Sequence, residues 1–262
     1  MLPNQWRDGV ITPVPKVSRP QGVEAYRPIT VTPILSRLLE RIVVRDYIYP
    51  IFTNPDFTHK FSDQFAFRPT GSTTAALIAI WHKVTNLLQT HAYVHVIALD
   101  FSKAFDTVRH QTLIQKLALL PLPSRIHNWI IDYLGGRRQC TKYSAGFSQL
   151  RPINASIVQG SGVGPALYDV NSSDLRPSIV GNDLCKYADD TYLIVPPTNS
   201  ESIQREIDEI AAWATANNLK LNASKTMEMV VQRPRVRKSP VDIPPPIQGI
   251  QRVESMVMLG CW

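Results

Sequence analysis

The sequence predicts an α+β protein, because it contains both short β-rich runs and longer amphipathic helical patterns along 262 residues. A hydrophobic content of 44% is enough for a sizeable buried core, and the length suits one large domain or two subdomains. There is no internal repeat, and no sharp change in composition marks a linker between independent domains.

The N-terminal third begins with strands and continues with two helices. Prolines interrupt residues 1–31, which read as extended segments and loops with β-rich runs at 10–12 and 29–31. A helix is predicted to begin at Thr32, which can cap it, with Pro33 in the first helical position. We expect its apolar stripe to be buried, namely Leu35, Leu38, Leu39, Ile42 and Val43.

A second helix is predicted over residues 72–88. Its expected buried side comprises Leu77, Ile80, Trp81, Val84 and Leu88. An apolar strand follows at 96–99 and ends at Asp100, after which a helix is expected from Ser102 onward.

Two further helices are predicted at 111–120 and 124–134. Gly135 and Gly136 end the second of them, and the basic residues Arg137, Arg138 and Lys142 lie just beyond.

The C-terminal part contains a predicted hairpin, one clear helix and a basic segment. The hairpin carries Asp189 and Asp190, and the helix at 201–217 has Ile203, Ile207, Ile210 and Ala214 on one face. Thr198 and Glu201 fit a capping box for that helix. Residues 232–248 are basic and proline-rich, which predicts a loop or exposed extension.

Charge and cysteine usage restrict the function. A formal charge of +7 is the balance expected of a protein with a polyanionic partner, although ordinary basic proteins reach it too. The three cysteines are far apart and indicate a reducing compartment. Because the N-terminus lacks the apolar run of a signal peptide and no later run suits a membrane helix, we expect a soluble intracellular protein, nuclear or cytoplasmic and not secreted. The basic run 233–238 is a weak nuclear signal.

Three carboxylates occupy similar local positions. Asp100 ends a buried strand, while Asp189 and Asp190 stand at the tip of a hairpin; turn chemistry alone would also explain the pair. If the two strands are neighbours in one sheet, the carboxylates meet, and such a cluster is tolerable around hard cations such as Mg²⁺. Two such ions, roughly 3.5–4 Å apart, would clamp the oxygens of a phosphoryl transfer.

Other chemistries lack their motifs. The sequence contains no GxxxxGK[ST] phosphate loop, HExxH helix or GxSxG elbow, and its six histidines have no metal-ligand spacing. His82, His91 and His95 are better explained as surface or satisfied core residues.

The ordered set of motifs resembles the reverse transcriptases of LINE-type, non-LTR retrotransposons over nearly the whole chain. Each motif is weak alone, and the specificity lies in their order: WRDGVITPVPK, YRPITVTPILSRLLERIV, DQFAFRPTGSTTAAL, IALDFSKAFDTVRH, IVQGSGVGP, KYADD, NNLKLNASKTMEMV and MLGCW.

The resemblance implies a right-hand polymerase fold, with an antiparallel palm sheet packed on helices. Fingers are expected at 1–92 and a palm at 93–262, with some finger elements around 111–157. The thumb, and the endonuclease that usually precedes such a polymerase, are expected in other parts of a longer polyprotein. The implied partners are an RNA template, a DNA primer and dNTPs, with no membrane.

The resemblance also implies roles for individual residues. Asp100 and Asp189 correspond to the ligands of two Mg²⁺ ions, with Mn²⁺ as a substitute, and Asp190 to their acidic companion. Lys225 is similar to the lysine proposed to protonate the leaving pyrophosphate. The implied nucleotide contacts are Lys16 and Arg27 at the triphosphate, Arg68 at template or nucleotide, Phe105 excluding a 2′-hydroxyl, and Gln159 with Gly160 against nucleotide and template.

Two departures and two alternatives accompany this interpretation. Many relatives carry glycine where Ala66 stands and Ser-Pro where this chain has residues 162–165, which affects template grip more than chemistry. For each basic residue, a solvated surface charge is the simpler explanation. For Phe105, the residues alone favour a helix core contact and a role at the sugar about equally. The alternatives are a truncated or decayed fragment that binds RNA or DNA without catalysis and, with less support, a metal-dependent nuclease.

Overall fold

The computed structural model describes residues 2–233 and 243–260. The chain divides into a first unit, Met1–Thr58 with Phe105–Asn171, and a second unit, His59–Ala104 with Ser172–Trp262. The predicted basic extension at 232–248, the run 233–238 and Cys261 lie wholly or largely outside the described residues. None of the helices in the described ranges is long and apolar enough to cross a membrane.

The first unit contains a five-stranded sheet. Its strand order is β2-β1-β4-β5, with β6 paired to β4, and β1 runs antiparallel to β2 but parallel to β4. The strands are β1 (Asp8–Pro15), β2 (Tyr26–Val31), β4 (Arg138–Tyr143), β5 (Gly146–Phe147) and β6 (Arg151–Pro152). The predicted extended character of the N-terminal 31 residues is confirmed.

Helices make up the rest of the first unit. They are α1 (Ile34–Val43), continued by a π-helical turn (Val44–Ile48), α2 (Tyr49–Thr53), α3 (Pro55–Thr58), α5 (Ala104–Thr107), α6 (His110–Leu117), α7 (Ser124–Leu134) and α8 (Gly164–Asn171). Helix α7 has the predicted bounds and ends at Gly135, followed by Gly136 in a left-handed conformation (φ 63°).

Helix α1 corrects two predictions. Its N-cap is Pro33 rather than Thr32, and no side chain caps it. The expected core stripe is largely exposed, with Leu35 at 66% and Leu38 at 56%, whereas Ser36, Glu40 and Val43 are buried. The face of α1 that carries Ser36 and Glu40 is therefore the buried one, because the Glu40 carboxylate accepts hydrogen bonds from groups inside the unit.

The second unit contains an antiparallel sheet with one parallel edge strand. The order is β10-β9-β3-β8-β7, formed by β3 (Tyr93–Leu99), β7 (Asp183–Tyr187), β8 (Asp190–Val195), β9 (Met227–Gln232) and β10 (Gln251–Arg252). The strand predicted at 96–99 is part of β3, which lies at the centre of this sheet. A carboxylate at the end of β3 can therefore meet residues of the neighbouring strands.

Two long helices belong to the second unit. Helix α4 (Thr73–Thr90) is capped by Ser72 and packs Ala76, Ile80 and Val84 against the sheet. Trp81, predicted to be buried, is 62% exposed, since it lies about 100° around the helix from the centre of that packed face.

Helix α9 (Ile203–Ala216) buries the predicted face of Ile203, Ile207, Ile210 and Ala214. The capping box is wrong, because Thr198 and Glu201 fall in a preceding 3₁₀ turn (Pro197–Ser202) and no side chain caps α9.

Candidate active site

The register of two neighbouring strands brings the three predicted carboxylates together. Leu99 pairs with Thr191, so Asp100 follows the end of β3 next to Asp190, the first residue of β8. Asp189 precedes it in the two-residue turn between Tyr187 and Asp190, which pair across the hairpin. The convergence expected from the sequence is therefore present in the second unit.

The hairpin turn is strained and held from outside by Gln64. Ala188 has a left-handed backbone (φ 57°), which costs a non-glycine residue about 1 kcal/mol or more. The Gln64 Oε1 atom accepts hydrogen bonds from the backbone N–H groups of Ala188 (3.1 Å) and Ala66 (3.0 Å). Sequence reasoning missed Gln64, although it lies within the DQFAFRP motif; its buried position fixes the backbone from which Asp189 projects.

The carboxylates perturb one another. Burial raises the pKa of Asp189 above its usual value, and the negative charge of Asp100 adds to this, although a backbone hydrogen bond opposes it. Partial desolvation, together with repulsion from Asp189 and Asp100, raises the pKa of Asp190 to about 6. Each carboxylate therefore lies within electrostatic reach of the others, and a nearby cation would relieve this repulsion.

The donor set suits a hard divalent cation, since all three side chains offer carboxylate oxygens. Within residues 2–233 and 243–260, however, no group of three or more His, Cys, Asp or Glu side chains is arranged to hold a metal ion as it stands. The register and the raised pKa values of Asp189 and Asp190 support a cation here without defining its coordination.

Lys225 lies in a loop anchored to the backbone around Asp100. Ser102 N–H donates to the carbonyl of Lys220 (2.9 Å), and Asn222 N–H donates to the carbonyl of Asp100 (2.8 Å). Lys225, three residues beyond Asn222, is exposed. The structure thus connects the predicted proton donor to the segment that carries the first carboxylate.

In the first unit, Phe105 and Gln159 are joined through Asp106 and a backbone contact. Gln159 Nε2 donates to Asp106 Oδ1 (2.8 Å), and Ile157 N–H donates to the carbonyl of Phe105 (2.8 Å). The Phe105 ring stacks on Tyr168, with centroids 4.2 Å apart. The position of Phe105 is therefore fixed by packing, which both of its predicted roles require.

The need for glycine at position 160 is explained by packing within the first unit. The Gly160 backbone has φ +110°, and a Cβ atom there would lie 2.4 Å from the carbonyl oxygen of Thr30. Thr30 N–H in turn donates to the carbonyl of Gln159 (2.7 Å). The missing side chain thus permits close approach of strand β2, whereas the sequence reasoning ascribed it to nucleotide or template.

Glu40, which sequence reasoning also missed, holds the loop that carries Gln159 and Gly160. It is fully buried in α1, and its Oε2 atom accepts hydrogen bonds from the N–H groups of Gly162 (2.6 Å) and Val163 (3.3 Å). Ser36 Oγ donates to its Oε1 atom (2.7 Å). The only available signal was a lone acid in helix α1, since Gly162 and Val163 lie more than 120 residues away in sequence.

The predicted basic contacts have structural partners of their own. Lys16 Nζ donates to the carbonyl of Glu24 (2.9 Å), and Arg27 is exposed on β2 opposite Val14. Arg68 donates to the carbonyls of Phe61 and Gln64 (3.0 Å to Gln64) and so folds the segment that positions the carboxylate turn. Their roles toward nucleotide or template stay predictions.

The fold is similar to that of telomerase. Solved structures of telomerase align with a TM-score of 0.63 for Candida tropicalis telomerase with a fragment of telomeric RNA (14% identity, 87% of this chain and 42% of that chain). The score is 0.59 for Candida albicans telomerase with such a fragment (13% identity, 92% and 44%). This confirms the predicted α+β fingers-and-palm fold.

The chain belongs to the reverse transcriptase (RNA-dependent DNA polymerase) family, whose model matches residues 14–261. Among its relatives are the probable RNA-directed DNA polymerase from transposon BS of Drosophila melanogaster (29% identity, 95% of this chain, 28% of that protein) and the RNA-directed DNA polymerase from mobile element jockey of the same species (28%, 86%, 25%). The chain spans about a quarter of these relatives' length. The predicted relationship to LINE-type reverse transcriptases is confirmed.

Proposed function

We propose that this chain carries the core of an RNA-directed DNA polymerase, which adds dNTPs to the 3′-hydroxyl of a DNA primer paired with an RNA template. The observation that carries the proposal is the strand register that sets Asp100 beside Asp190 and next to Asp189. Membership of the family supports the reaction type.

In this proposal Asp100 and Asp189 hold two Mg²⁺ ions, with Asp190 beside them. When bound, the ions would lower the pKa of the primer hydroxyl and neutralise charge on the leaving pyrophosphate. The carboxylates suit this task because they are oxygen ligands on the ends of rigid strands, and Mn²⁺ would serve as a substitute.

The remaining roles follow the resemblance. Lys225 would donate a proton to the departing pyrophosphate, and Lys16 and Arg27 would bind the triphosphate oxygens. Phe105, held by its stack on Tyr168, would exclude the 2′-hydroxyl of a ribonucleotide. The assignment of residues 1–92 to fingers and 93–262 to palm stays a prediction, as does the intracellular location.

Primer extension with Mg²⁺ tests the proposal directly. Wild-type protein should lengthen a labelled DNA primer on an RNA template, and Asp189→Asn should reduce the rate by about 100-fold or more, because one charged ligand is lost. Asp183→Asn is the matched control: it removes an acid at the start of β7, the strand that leads into the carboxylate turn, where Asp183 pairs with Lys83, and it should retain activity.

Binding of template separates the two main functions. If neither protein extends a primer while both bind RNA in a salt-dependent manner, the chain is a binding fragment and the catalytic proposal is wrong. Cleavage of a labelled duplex without extension would indicate a nuclease instead.

A further inference from the structure

Lys186 is a buried cation three residues before Asp189. It is 1% exposed on β7, and its Nζ atom donates hydrogen bonds to the carbonyls of Ser172 (2.8 Å) and Leu175 (3.1 Å). The same Nζ atom lies 3.2 Å from Asp63 Oδ2. An ammonium group has three N–H donors, and these three oxygens offer one acceptor to each of them. The partners fix the position of the charge, since a buried ammonium is costly to leave unpaired.

The backbone of Lys186 is bonded to the short segment 63–65 along the outer edge of β7. Its N–H donates to the carbonyl of Asp63 (2.7 Å), and its carbonyl accepts from the N–H of Phe65 (2.8 Å). Gln64 thereby forms a parallel bridge with Lys186. Because β7 is the last strand in the order of the second unit's sheet, the segment covers its edge. Both the backbone and the side chain of Lys186 therefore hold the same segment.

That segment carries the contact that holds the carboxylate turn. Gln64 Oε1 accepts the N–H groups of Ala188 (3.1 Å) and Ala66 (3.0 Å). Among the residues that the structure describes, the Gln64 Nε2 atom has no hydrogen-bond partner, so the bonds to Oε1 are what orient this buried amide. Lys186 thus reaches the turn by two routes, along the chain and through Gln64.

Arg176 shares Asp63 with Lys186. One nitrogen of its guanidinium pairs with Asp63 Oδ2, and Nη2 donates to the carbonyl of His59 (2.7 Å). Without the Lys186 ammonium, Asp63 would keep this counter-charge and the segment 63–65 would keep its backbone bonds to β7. We therefore expect a variant at position 186 to fold while its grip on the segment is loosened.

We propose that Lys186 is a positioning residue for the carboxylate turn and acts through Gln64. Its hold on the segment 63–65 keeps Gln64 Oε1 against the N–H of Ala188, whose left-handed backbone (φ 57°) is strained and would otherwise relax. A displacement of Asp189 by about 1 Å can cost about 100-fold in rate. The consequence for catalysis rests on the proposed function, whereas the hold on the turn does not.

Hydrogen exchange at the Ala188 amide measures the hold on the turn directly. Lys186→Met replaces the ammonium with an apolar group of similar length, and Gln64→Met removes the acceptor. Each should speed exchange of this amide by about 10-fold or more, because the N–H loses its partner for a larger fraction of the time.

Glu228→Gln is the matched control for a general loss of stability. Glu228 is a fully buried acid on β9 that is bonded to His95 and Arg252, away from the segment 63–65. Its replacement should lower the unfolding temperature but leave exchange at Ala188 within about 2-fold of wild type, since an amide in a turn exchanges through local opening.

A double variant tests whether Lys186 acts through Gln64. If it does, adding Lys186→Met to Gln64→Met should change the exchange rate at Ala188 by less than about 2-fold, because the contact is already lost. Lys186→Arg keeps the charge and the donors, and should bring the rate most of the way back to that of wild type. Multiplied effects in the double variant would show that Lys186 does not act through Gln64 and would overturn the inference.

Primer extension provides the second readout. In Lys186→Met, kcat should fall by about 10-fold and the Mg²⁺ concentration for half-maximal rate should rise by about 5-fold, because the carboxylates are misplaced. The KM for template should stay within about 2-fold of wild type, since only the turn is changed. Lys186→Arg should recover most of the lost rate.

The two readouts separate this inference from the proposed function. Unchanged exchange at Ala188 in Lys186→Met, or equal acceleration in Glu228→Gln, would overturn the inference whether or not wild type extends primers. Accelerated exchange with unchanged kcat and Mg²⁺ dependence would overturn the role of Lys186 in catalysis while the polymerase stands. Accelerated exchange in a chain whose wild type extends no primer would refute the polymerase and leave the hold of Lys186 on the turn standing.

Discussion

Two acidic regions of the second unit's sheet have pKa shifts of opposite sign. Glu228 on β9 is fully buried, with His95 Nδ1 at 2.7 Å from its Oε1 atom and Arg252 Nε at 2.8 Å from its Oε2 atom. Burial alone would raise the pKa of Glu228, but the hydrogen bonds with His95 and Arg252 outweigh it and lower the pKa to about 2. At the hairpin tip, by contrast, the pKa of Asp190 is raised to about 6.

The difference lies in the neighbours rather than in the burial. Glu228 is surrounded by donors and positive charge, so its ionised form stabilises the fold. Asp189 and Asp190 are next to another carboxylate, so their ionised forms repel and favour a cation. An acid is therefore structural where its partners are donors, and available for chemistry where its partners are acids.

The substitution Glu228→Gln tests this contrast with the largest expected effect, a loss of about 3 kcal/mol of unfolding free energy. The reason is that a neutral amide leaves Arg252 without its counter-charge and His95 Nδ1 without its carboxylate partner. Glu209→Gln, an exposed acid near Arg205, is the control and should change stability by less than about 0.5 kcal/mol. Urea unfolding at pH 7 measures both, and a cost below 1 kcal/mol for Glu228→Gln would contradict this view of the site.

The pH dependence of that cost has a definite sign. Because the pKa of Glu228 falls from 4.5 to about 2 on folding, its contribution is complete above about pH 4.5 and is lost as the pH falls toward 2. The stability difference between wild type and Glu228→Gln should therefore shrink between pH 5 and pH 3. A difference that stays constant over this range would contradict the assignment.

A second variant extends the contrast to the buried acid of the first unit. Glu40→Gln should cost about 2 kcal/mol, since an amide nitrogen would face the N–H donors of Gly162 and Val163 or the hydroxyl of Ser36. The loop bearing Gln159 and Gly160 would then shift, so kcat/KM for dNTP should fall by about 10-fold. The exposed Asp56→Asn serves as the control, and unchanged kinetics in Glu40→Gln would show that the loop does not depend on it.

The smallest effect is expected at the hairpin tip and has the opposite sign. In metal-free buffer at pH 7, Asp190→Asn should raise stability by up to about 1 kcal/mol, because it removes a repelled charge that is partly screened by solvent. A raised pKa means that the penalty is present above pH 6 and fades as the pH falls toward 4, so the gain should fade as well. Destabilisation by Asp190→Asn at pH 7 would contradict the electrostatic account.

The sequence predicted those features that depend on local pattern. Asp100 and the pair at 189–190 were found because strand ends and turns have recognisable signals, and helix α7 was bounded correctly because glycines follow it. Helix α1 could not be oriented in this way. Its apolar periodicity predicted a buried stripe, but the donors that hold Glu40 lie 122 residues further along the chain.

The sequence pattern also failed to reveal the contacts of two other polar residues. Arg137 was predicted as one of several basic residues beyond α7, yet it is buried with its guanidinium 4.6 Å from the centroid of the Tyr133 ring. Gln64 reaches Ala188 across 124 residues. A contact made by one polar side chain has no periodic signature, whether its partner is a ring four residues away or a backbone group 124 residues away, so these contacts required the structure.

The most direct test of the central contrast is the thermal unfolding midpoint with and without Mg²⁺. A ligand that binds the folded state raises this midpoint, so wild type should unfold at a higher temperature when Mg²⁺ is added. Asp189→Asn should lose that increase, whereas Glu228→Gln should unfold at a lower temperature but keep the increase. The same Mg²⁺-dependent increase in Asp189→Asn as in wild type, or its loss in Glu228→Gln alone, would contradict the account.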